Sequence, residues 1–302
     1  METDLERSEF FGLWRIKEET STHNALKAYV QKTWETTDAS RFPGPQPVSI
    51  ERCHFGLLKK QPYLVCEKTD GVRLMLVCFE HNGKKICALV NRAFEAHTAS
   101  LTIPRDTVLD GELVQQKTGR WLYLVYDAVV VKGEDVRAKP LTERLAMANK
   151  TTRLIIKSAK DPFEVKTKSM FQLEKISEMP VLDAFPYETD GVVFTPINEP
   201  VRMGTHETMF KWKPRDRITI DFYFRDNILH IQDRGNFVRI ATLYPPVAYP
   251  PGTILECGYG ETGWYVVKVR TDKTHPNNKR TYHRTIVNLR ENILIEELMK
   301  CI

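Results

Sequence analysis

Tyr63–Glu80 reads YLVCEKTDGVRLMLVCFE. Its two halves are rich in apolar and β-branched residues, and Lys68-Thr69-Asp70-Gly71 lies between them. Apolar runs of this length, broken by a turn signal, read as two strands. The texture continues outward through KKICALVNR (84–92), TVLDGELV (107–114) and WLYLVYDAVVV (121–131). NGKK (82–85) fits a hairpin turn between two of these runs. GVVFTP (191–196) and MFKWKP (209–214) add two more strands. The middle of the chain is therefore built of sheets, with few helices beside them. Ser21–Trp34 reads as one, with Ser21 or Thr22 as cap and Leu26, Tyr29, Val30 and Trp34 on one face. PLTERLAMANK (140–150) reads as another, capped by Thr142. The proline-punctuated RFPGPQPVSIER (41–52) cannot be helical.

Beyond Pro214 the pattern shifts. ITIDFYF, ILHIQD, FVRIATLY, TILECGYG and WYVVKVR are five short strand-like runs, which suit a small Greek-key barrel such as an OB-fold. RENILIEELMKCI (290–302) reads as a closing helix.

Composition narrows the class. The 302 residues carry 42% hydrophobic and 27% charged residues, as a globular protein does. No apolar run is long enough to span a bilayer, and the acidic start METDLERSEFFGLW lacks a signal-peptide pattern. Six scattered cysteines without a C-x-x-C pair point to reduced thiols, an intracellular setting and no zinc site. The eight histidines show no ligand spacing. The net charge of +5 permits a polyanionic partner without demanding one.

Lys68 follows a buried-type strand, where a lysine that loses its proton becomes a covalent nucleophile. K-x-D-G alone is weak, since any turn carries it. Five further segments follow in order: Asp110-Gly111-Glu112, Tyr126-Asp127, Asp190-Gly191-Val192-Val193, Lys211-Trp212-Lys213 and Arg270-Thr271-Asp272-Lys273. Singly these are turns, solvated faces and charged loops. Together they supply a nucleophile, carboxylates, cations for phosphates and an aromatic ring for a base, the parts a nucleotidyl transfer needs.

The ordered set resembles the covalent nucleotidyltransferase superfamily, which holds capping enzymes and the ATP- and NAD-dependent ligases. RTDK followed by HPNN, and KWKP followed by TIDF, are similar to capping guanylyltransferases. FPGPQPVSIER, EKTDGVR, YDAVVVKG, ECGYG and ENILIEEL resemble the small capping enzymes of large DNA viruses, of the chlorella-virus type.

The resemblance implies an α+β fold: a nucleotidyltransferase domain (1–215) of antiparallel sheets with flanking helices, an OB-fold barrel (216–290), and a terminal helix (291–302) that returns to the large domain. It implies that Lys68 attacks the α-phosphorus of GTP and later passes GMP to 5′-diphosphate RNA. Thr69, Arg73, Arg92 and Glu112 would lie around the ribose and α-phosphate. Tyr126 would stack on guanine, where the family more often has Phe. Lys168 would reach the guanine edge, with Lys166 the alternative two residues away. Asp190 would support a metal or the lysine. Lys211 and Lys213 would hold the α-phosphate, and Asp221 would orient a group near a hinge at 214–219. Arg270, Asp272 and Lys273 would engage the β- and γ-phosphates once the domains close. The metal would be Mg²⁺ or Mn²⁺. A separate RNA triphosphatase and a cap methyltransferase are the implied partners, no membrane is, and the setting would be a host nucleus or a viral replication site. The alternatives are an ATP-dependent polynucleotide ligase and a non-catalytic nucleic-acid-binding OB protein.

Overall fold

The computed structural model describes residues 4–8, 10, 12–37, 42–156 and 161–300. Arg41 and Cys301 lie outside them. The chain divides into two compact units, Met1–Val48 with Lys60–Phe210, and Ser49–Lys59 with Lys211–Ile302. Each is described by itself.

The first unit begins with β1 (Leu5–Arg7), β2 (Trp14–Ile16), α1 (Ser21–Trp34) and β3 (Pro45–Ser49). After α2 (Phe55–Lys60) come β4 (Tyr63–Thr69), β5 (Val72–His81), β6 (Lys84–Val90), β7 (Ala96–Thr98), β8 (Thr107–Gln115), β9 (Trp121–Val131) and β10 (Glu134–Asp135). α3 (Leu141–Thr152), β11 (Phe163–Thr167), β12 (Phe171–Gln172), β13 (Thr189–Pro196) and β14 (Gly204–Trp212) complete it. One sheet runs β1-β2-β7-β6-β5-β8-β9-β10, with β11 added parallel to β9. The other runs β12-β4-β13-β14-β3.

The predicted strands are present for the reason given: β5, β6, β8 and β9 are apolar enough to be buried on both faces. Leu74, Leu76, Leu89, Leu109 and Val125 fill one side of the large sheet, and Met75, Val77, Ala88, Val108 and Val129 the other. The β5–β6 hairpin turns at Asn82 and Gly83, both at positive φ (51° and 69°), as a two-residue turn requires. α1 spans the predicted residues. Leu26, Val30 and Trp34 are buried, and Tyr29 stacks on Phe79 with ring centroids 5.0 Å apart.

The caps differ from expectation. Thr20, in extended conformation, accepts from the His23 amide and caps α1, so Ser21 and Thr22 are its first helical residues. α3 begins at Leu141 behind Pro140 without a side-chain cap, which puts Thr142 inside the helix. The Leu141 amide donates to the Ile197 carbonyl at 2.8 Å, so a backbone oxygen takes a donor there in place of a hydroxyl.

The second unit holds β15 (Thr219–Arg225), β16 (Ile228–Asp233), β17 (Asn236–Thr242), β18 (Ile254–Gly260), β19 (Gly263–Val269), α4 (Lys279–Glu291) and α5 (Ile295–Lys300). All five expected strands form one antiparallel sheet in the order β17-β16-β15-β18-β19. Ile220, Phe222, Phe224, Leu229, Ile231, Leu255 and Cys257 pack on its inner face. Among the described residues β17 and β19 do not pair, so this OB-like sheet is open rather than a closed barrel. The closing segment also differs. Asn292 takes the left-handed conformation (φ 44°) and ends α4, and α5 starts only at Ile295. Basic α4 (KRTYHRTIVNLRE) was not expected, although Tyr282, Ile286 and Leu289 recur in it at helical spacing. Within this unit the terminal helices meet Ile50 and Arg52: Arg52 bonds Glu291 and Glu297, and Asn288 Nδ2 donates to the Ile50 carbonyl at 2.7 Å.

Candidate functional site

Lys68 sits near the end of β4, opposite Gly191 on β13. The register shifts between Thr189 and Gly191, so Asp190 is the extra residue of a β-bulge. A bulge frees one side chain from the alternation and re-aims it. Here it turns Asp190 onto the lysine, with Oδ1 2.9 Å from Lys68 Nζ and both groups half-buried.

Alternation along β4 puts Glu67 and Thr69 on the other face from Lys68. Glu67 is buried and accepts from the Tyr187 hydroxyl at 2.9 Å. Burial and the adjacent carboxylate push the Tyr187 phenol far up, so it remains a donor. Lys168, also buried, follows β11. Its Nζ donates to the Glu67 carbonyl (2.9 Å) and to Thr69 Oγ1 (3.2 Å), and stands 3.5 Å from the Glu67 carboxylate. Thr69 in turn donates to Glu112. Lys166 is exposed and pairs with Glu164 at 3.4 Å. Of the two lysines in KTKSMF, Lys168 is the one the fold brings to the KTDG segment.

Arg73 lies opposite Glu112 across β5 and β8. It grips Asp110 with Nε (3.1 Å) and a terminal nitrogen (2.5 Å), and donates to the Pro45 carbonyl (2.5 Å). Burial opposes its charge, but the Asp110 carboxylate outweighs that and pushes its pKa up. Tyr126 donates to Asp110 Oδ1 at 2.9 Å, and the guanidinium lies 5.8 Å from its ring centroid. Tyr126 too is a bulge residue: Asp110 faces Asp127 and Gly111 faces Val125, which leaves Tyr126 out of register. Desolvation pushes its phenol well up.

Two glycines make this packing possible. A Cβ on Gly71 would stand 2.5 Å from the Leu113 carbonyl, and one on Gly111 2.6 Å from that of Leu124. Asp127, paired with Arg144 at 2.7 Å and buried with it, is structural. Arg92 stands exposed on the turn after β6, which Asn91 ties by accepting the amides of Ala93 and Glu95. An open cavity of about 560 Å³ lies beside Asp70–Val72, lined also by Leu113, Trp121 and Glu188; Lys68 does not line it.

In the second unit Lys211 and Lys213 flank buried Trp212, whose indole donates to the Ile293 carbonyl at 2.8 Å. Asp221, buried on β15, pairs with Arg270 (2.9 Å) and with Lys273. Arg270 also grips Asp272 (2.7 Å) and reaches Glu256 (3.2 Å). The hydrogen bonds from Arg270 hold Asp272 down at about 2. Asp221 thus orients Arg270 and Lys273, and Asn277 fixes its backbone on both sides.

The sequence reading missed Glu67, the buried partner of Lys168, and Tyr187, which donates to Glu67, and it gave Asp110, the partner of Arg73 and Tyr126, no role of its own. The available signal was a charged Glu67 at an inward position of an apolar strand. Among the described residues no group of three or more His, Cys, Asp or Glu is arranged to hold a metal ion.

Comparison with known proteins gives the family of the chain. The family description "mRNA capping enzyme, catalytic domain" matches residues 11–215, and "mRNA capping enzyme, C-terminal domain" matches 219–299. The chain is 28% identical over 305 aligned positions to an mRNA-capping enzyme of Danio rerio, covering 87% of this chain and 50% of the relative. It is 34% identical to an mRNA-capping enzyme subunit alpha of Yarrowia lipolytica, covering 60% of this chain and 53% of that one. The chain thus spans about half the length of these curated relatives. A solved mycobacterial DNA ligase D aligns over 77% of the chain at TM-score 0.42 and 12% identity.

Proposed function

The chain belongs to the mRNA capping enzyme family, and from that premise we propose that it is a GTP:RNA guanylyltransferase that carries GMP on Lys68. The observation that carries this reading is Lys68 at a strand end, with Asp190 turned onto it by a bulge. In the first step the Lys68 amine attacks the α-phosphorus of GTP. An N–P bond forms, the bond to pyrophosphate breaks, and the amine must first have lost its proton. Asp190 is the acceptor within reach at 2.9 Å. In the second step an oxygen of the RNA 5′-diphosphate attacks the same phosphorus, the P–N bond breaks, and the lysine recovers a proton.

Tyr126 offers a ring for guanine, and stacking uses the ring alone. Lys168 offers a donor for guanine O6. Its contacts already include Glu67 twice and Thr69, so a base oxygen would take the place of the longest, the 3.5 Å contact with the Glu67 carboxylate. Glu112, Thr69, Arg73 and Arg92 are assigned to the ribose and α-phosphate, and Lys211, Lys213, Arg270 and Lys273 to phosphate binding. A hard divalent cation would take its ligands mainly from the nucleotide phosphates, with Asp190 the one carboxylate assigned to it. Mg²⁺ or Mn²⁺, when bound, neutralises phosphate charge. The RNA end would come from a separate triphosphatase, and the cap would go on to a methyltransferase.

The test is incubation with α-labelled GTP. The unmutated chain should form an acid-labile, alkali-stable adduct that ATP does not give. Lys68→Ala and Lys68→Arg should form none, since arginine stays protonated and cannot attack. Labelling of Lys68→Ala would refute the assignment.

A further inference from the structure

We propose that the outer face of the five-stranded sheet in the second unit binds single-stranded RNA downstream of the end to be capped. This rests on the reading of the chain as an RNA guanylyltransferase.

The charge distribution gives the first argument. Residues 49–59 and 211–302 hold 17 Lys and Arg against 11 Asp and Glu, a net +6. The remaining residues of the chain then sum to −1, because the whole is +5. All of the excess positive charge belongs to the second unit and draws a polyanion to that unit; it lies in 49–59, 211–218 and the terminal helices, while 219–278, which hold the sheet, carry six Lys and Arg against six Asp and Glu, so the rings mark the face itself.

The side chains of that face give the second argument. Its inner side is the apolar core, so the alternate residues point outward. Among them Phe237 of β17 stacks on Tyr223 of β15, with centroids 4.0 Å apart and planes 16° apart. One face of the Phe237 ring is thereby occupied, and the residue is still 43% exposed. On the opposite edge strand Tyr265 lies over Gly258, where a Cβ would stand 2.5 Å from the ring. Glycine there lets the ring lie flat on the sheet, and Tyr265 is 47% exposed. Two aromatic rings, each backed on one side and open on the other, are stacking platforms for unpaired bases. Arg225 and Arg239 stand exposed on the same face, and Lys268 flanks Glu256 at 3.5 Å. β17 and β19 lie four strand spacings apart, on the order of 19 Å in a flat sheet, so the two platforms would engage different nucleotides of one strand. Duplex RNA keeps its bases stacked on each other and offers no such contact.

The experiment uses the full chain and a 3′-labelled single-stranded RNA with a 5′-diphosphate, followed by fluorescence anisotropy. Phe237→Ala and Tyr265→Ala should each weaken binding about tenfold, the loss expected for one stacked base. Phe237→Leu, which keeps the bulk without the ring, should weaken it similarly, and Tyr265→Phe should not. Arg239→Ala should lower the slope of log affinity against log salt by about one. All these variants should form the Lys68–GMP adduct at the unmutated rate, because that step involves no RNA. Unchanged RNA affinity in the Phe237→Ala, Tyr265→Ala double variant would overturn the proposal. So would equal binding of a duplex, or loss of adduct formation together with RNA binding. Absence of the adduct in the unmutated chain would refute the guanylyltransferase reading separately.

Discussion

Tyr126→Phe separates the two jobs of one side chain. As a base platform the residue needs only its ring, which the substitution keeps. As a partner of Asp110 it needs its hydroxyl, which the substitution removes. Asp110 is 1% exposed and accepts from Tyr126 and, twice, from Arg73. A hydrogen bond to a charged group contributes roughly 1.5–3 kcal/mol. The two-pronged grip of Arg73 remains, so the low end applies, about 1.5 kcal/mol. In a unit of this size that lowers the melting temperature by roughly 3–6 °C. Arg73→Ala should do more, because it strips the buried carboxylate of its counter-charge at a cost of about 3–5 kcal/mol. The assay is thermal unfolding beside a single-turnover measurement of adduct formation at saturating GTP. For Tyr126→Phe the melt should shift and the rate should not. An unchanged melt would mean that the phenol does not hold Asp110. A large loss of rate with an unchanged melt would mean that the hydroxyl acts on the nucleotide, and the division of labour argued here would fail.

Three further outcomes follow from the same geometry. Gly71→Ala should disable adduct formation, since the new Cβ meets the Leu113 carbonyl at 2.5 Å and the KTDG turn must shift; normal adduct yield would show that the turn is not held there. Lys168→Ala should narrow the preference for GTP over ATP in adduct assays while Lys166→Ala leaves it intact, because Lys168 touches Thr69 and Lys166 is exposed; the reverse result would move the base contact by two residues. Burial raises Tyr29 and Tyr63 from 10.0 to about 12, so between those values the folded state holds protons that the unfolded state releases, and their contribution to stability, full below 10, should be lost as pH rises from 10 to 12; urea melts at a series of alkaline pH values in the unmutated chain and in Tyr63→Phe check this, and the variant should show the shallower fall over that range.

The strands were legible because burial on both faces writes itself as apolar runs. Helix α4 was not read, although Tyr282, Ile286 and Leu289 repeat at the helical period, because charge dominates the segment through Lys279, Arg280, Arg284 and Arg290 and lowers its mean hydropathy. The break at Asn292 was legible in principle, since asparagine favours left-handed caps over helix interiors, but the apolar run that follows it continues the helical pattern. At the candidate site, Lys68, the later lysine and arginine segments and Tyr126 were readable as a motif set. Glu67 and Tyr187 were not, and neither was the role of Asp110, since each is defined by a neighbour far along the chain: Lys168 and Tyr187 for Glu67, Arg73 for Asp110.

The two least predictable placements share one cause. Asp190 and Tyr126 are both the extra residues of β-bulges, on β13 and on β9. In a regular strand either would be bound to the alternation of its neighbours, and turning it would slip the register and move every following side chain to the wrong face. A bulge absorbs the change within one residue. Val192 and Phe194 stay in the core beyond Asp190, and Val125 and Ala128 stay in it on either side of Tyr126 and Asp127. The sheet keeps its packing while one carboxylate turns to Lys68 and one ring turns to Arg73 and Asp110. Strand pairing therefore carries the stability, and the two breaks in pairing carry the geometry of the site. Sequence periodicity reports the former and cannot report the latter, because the hydrogen-bond register across two strands, rather than the order of residues along one, decides where the extra residue falls.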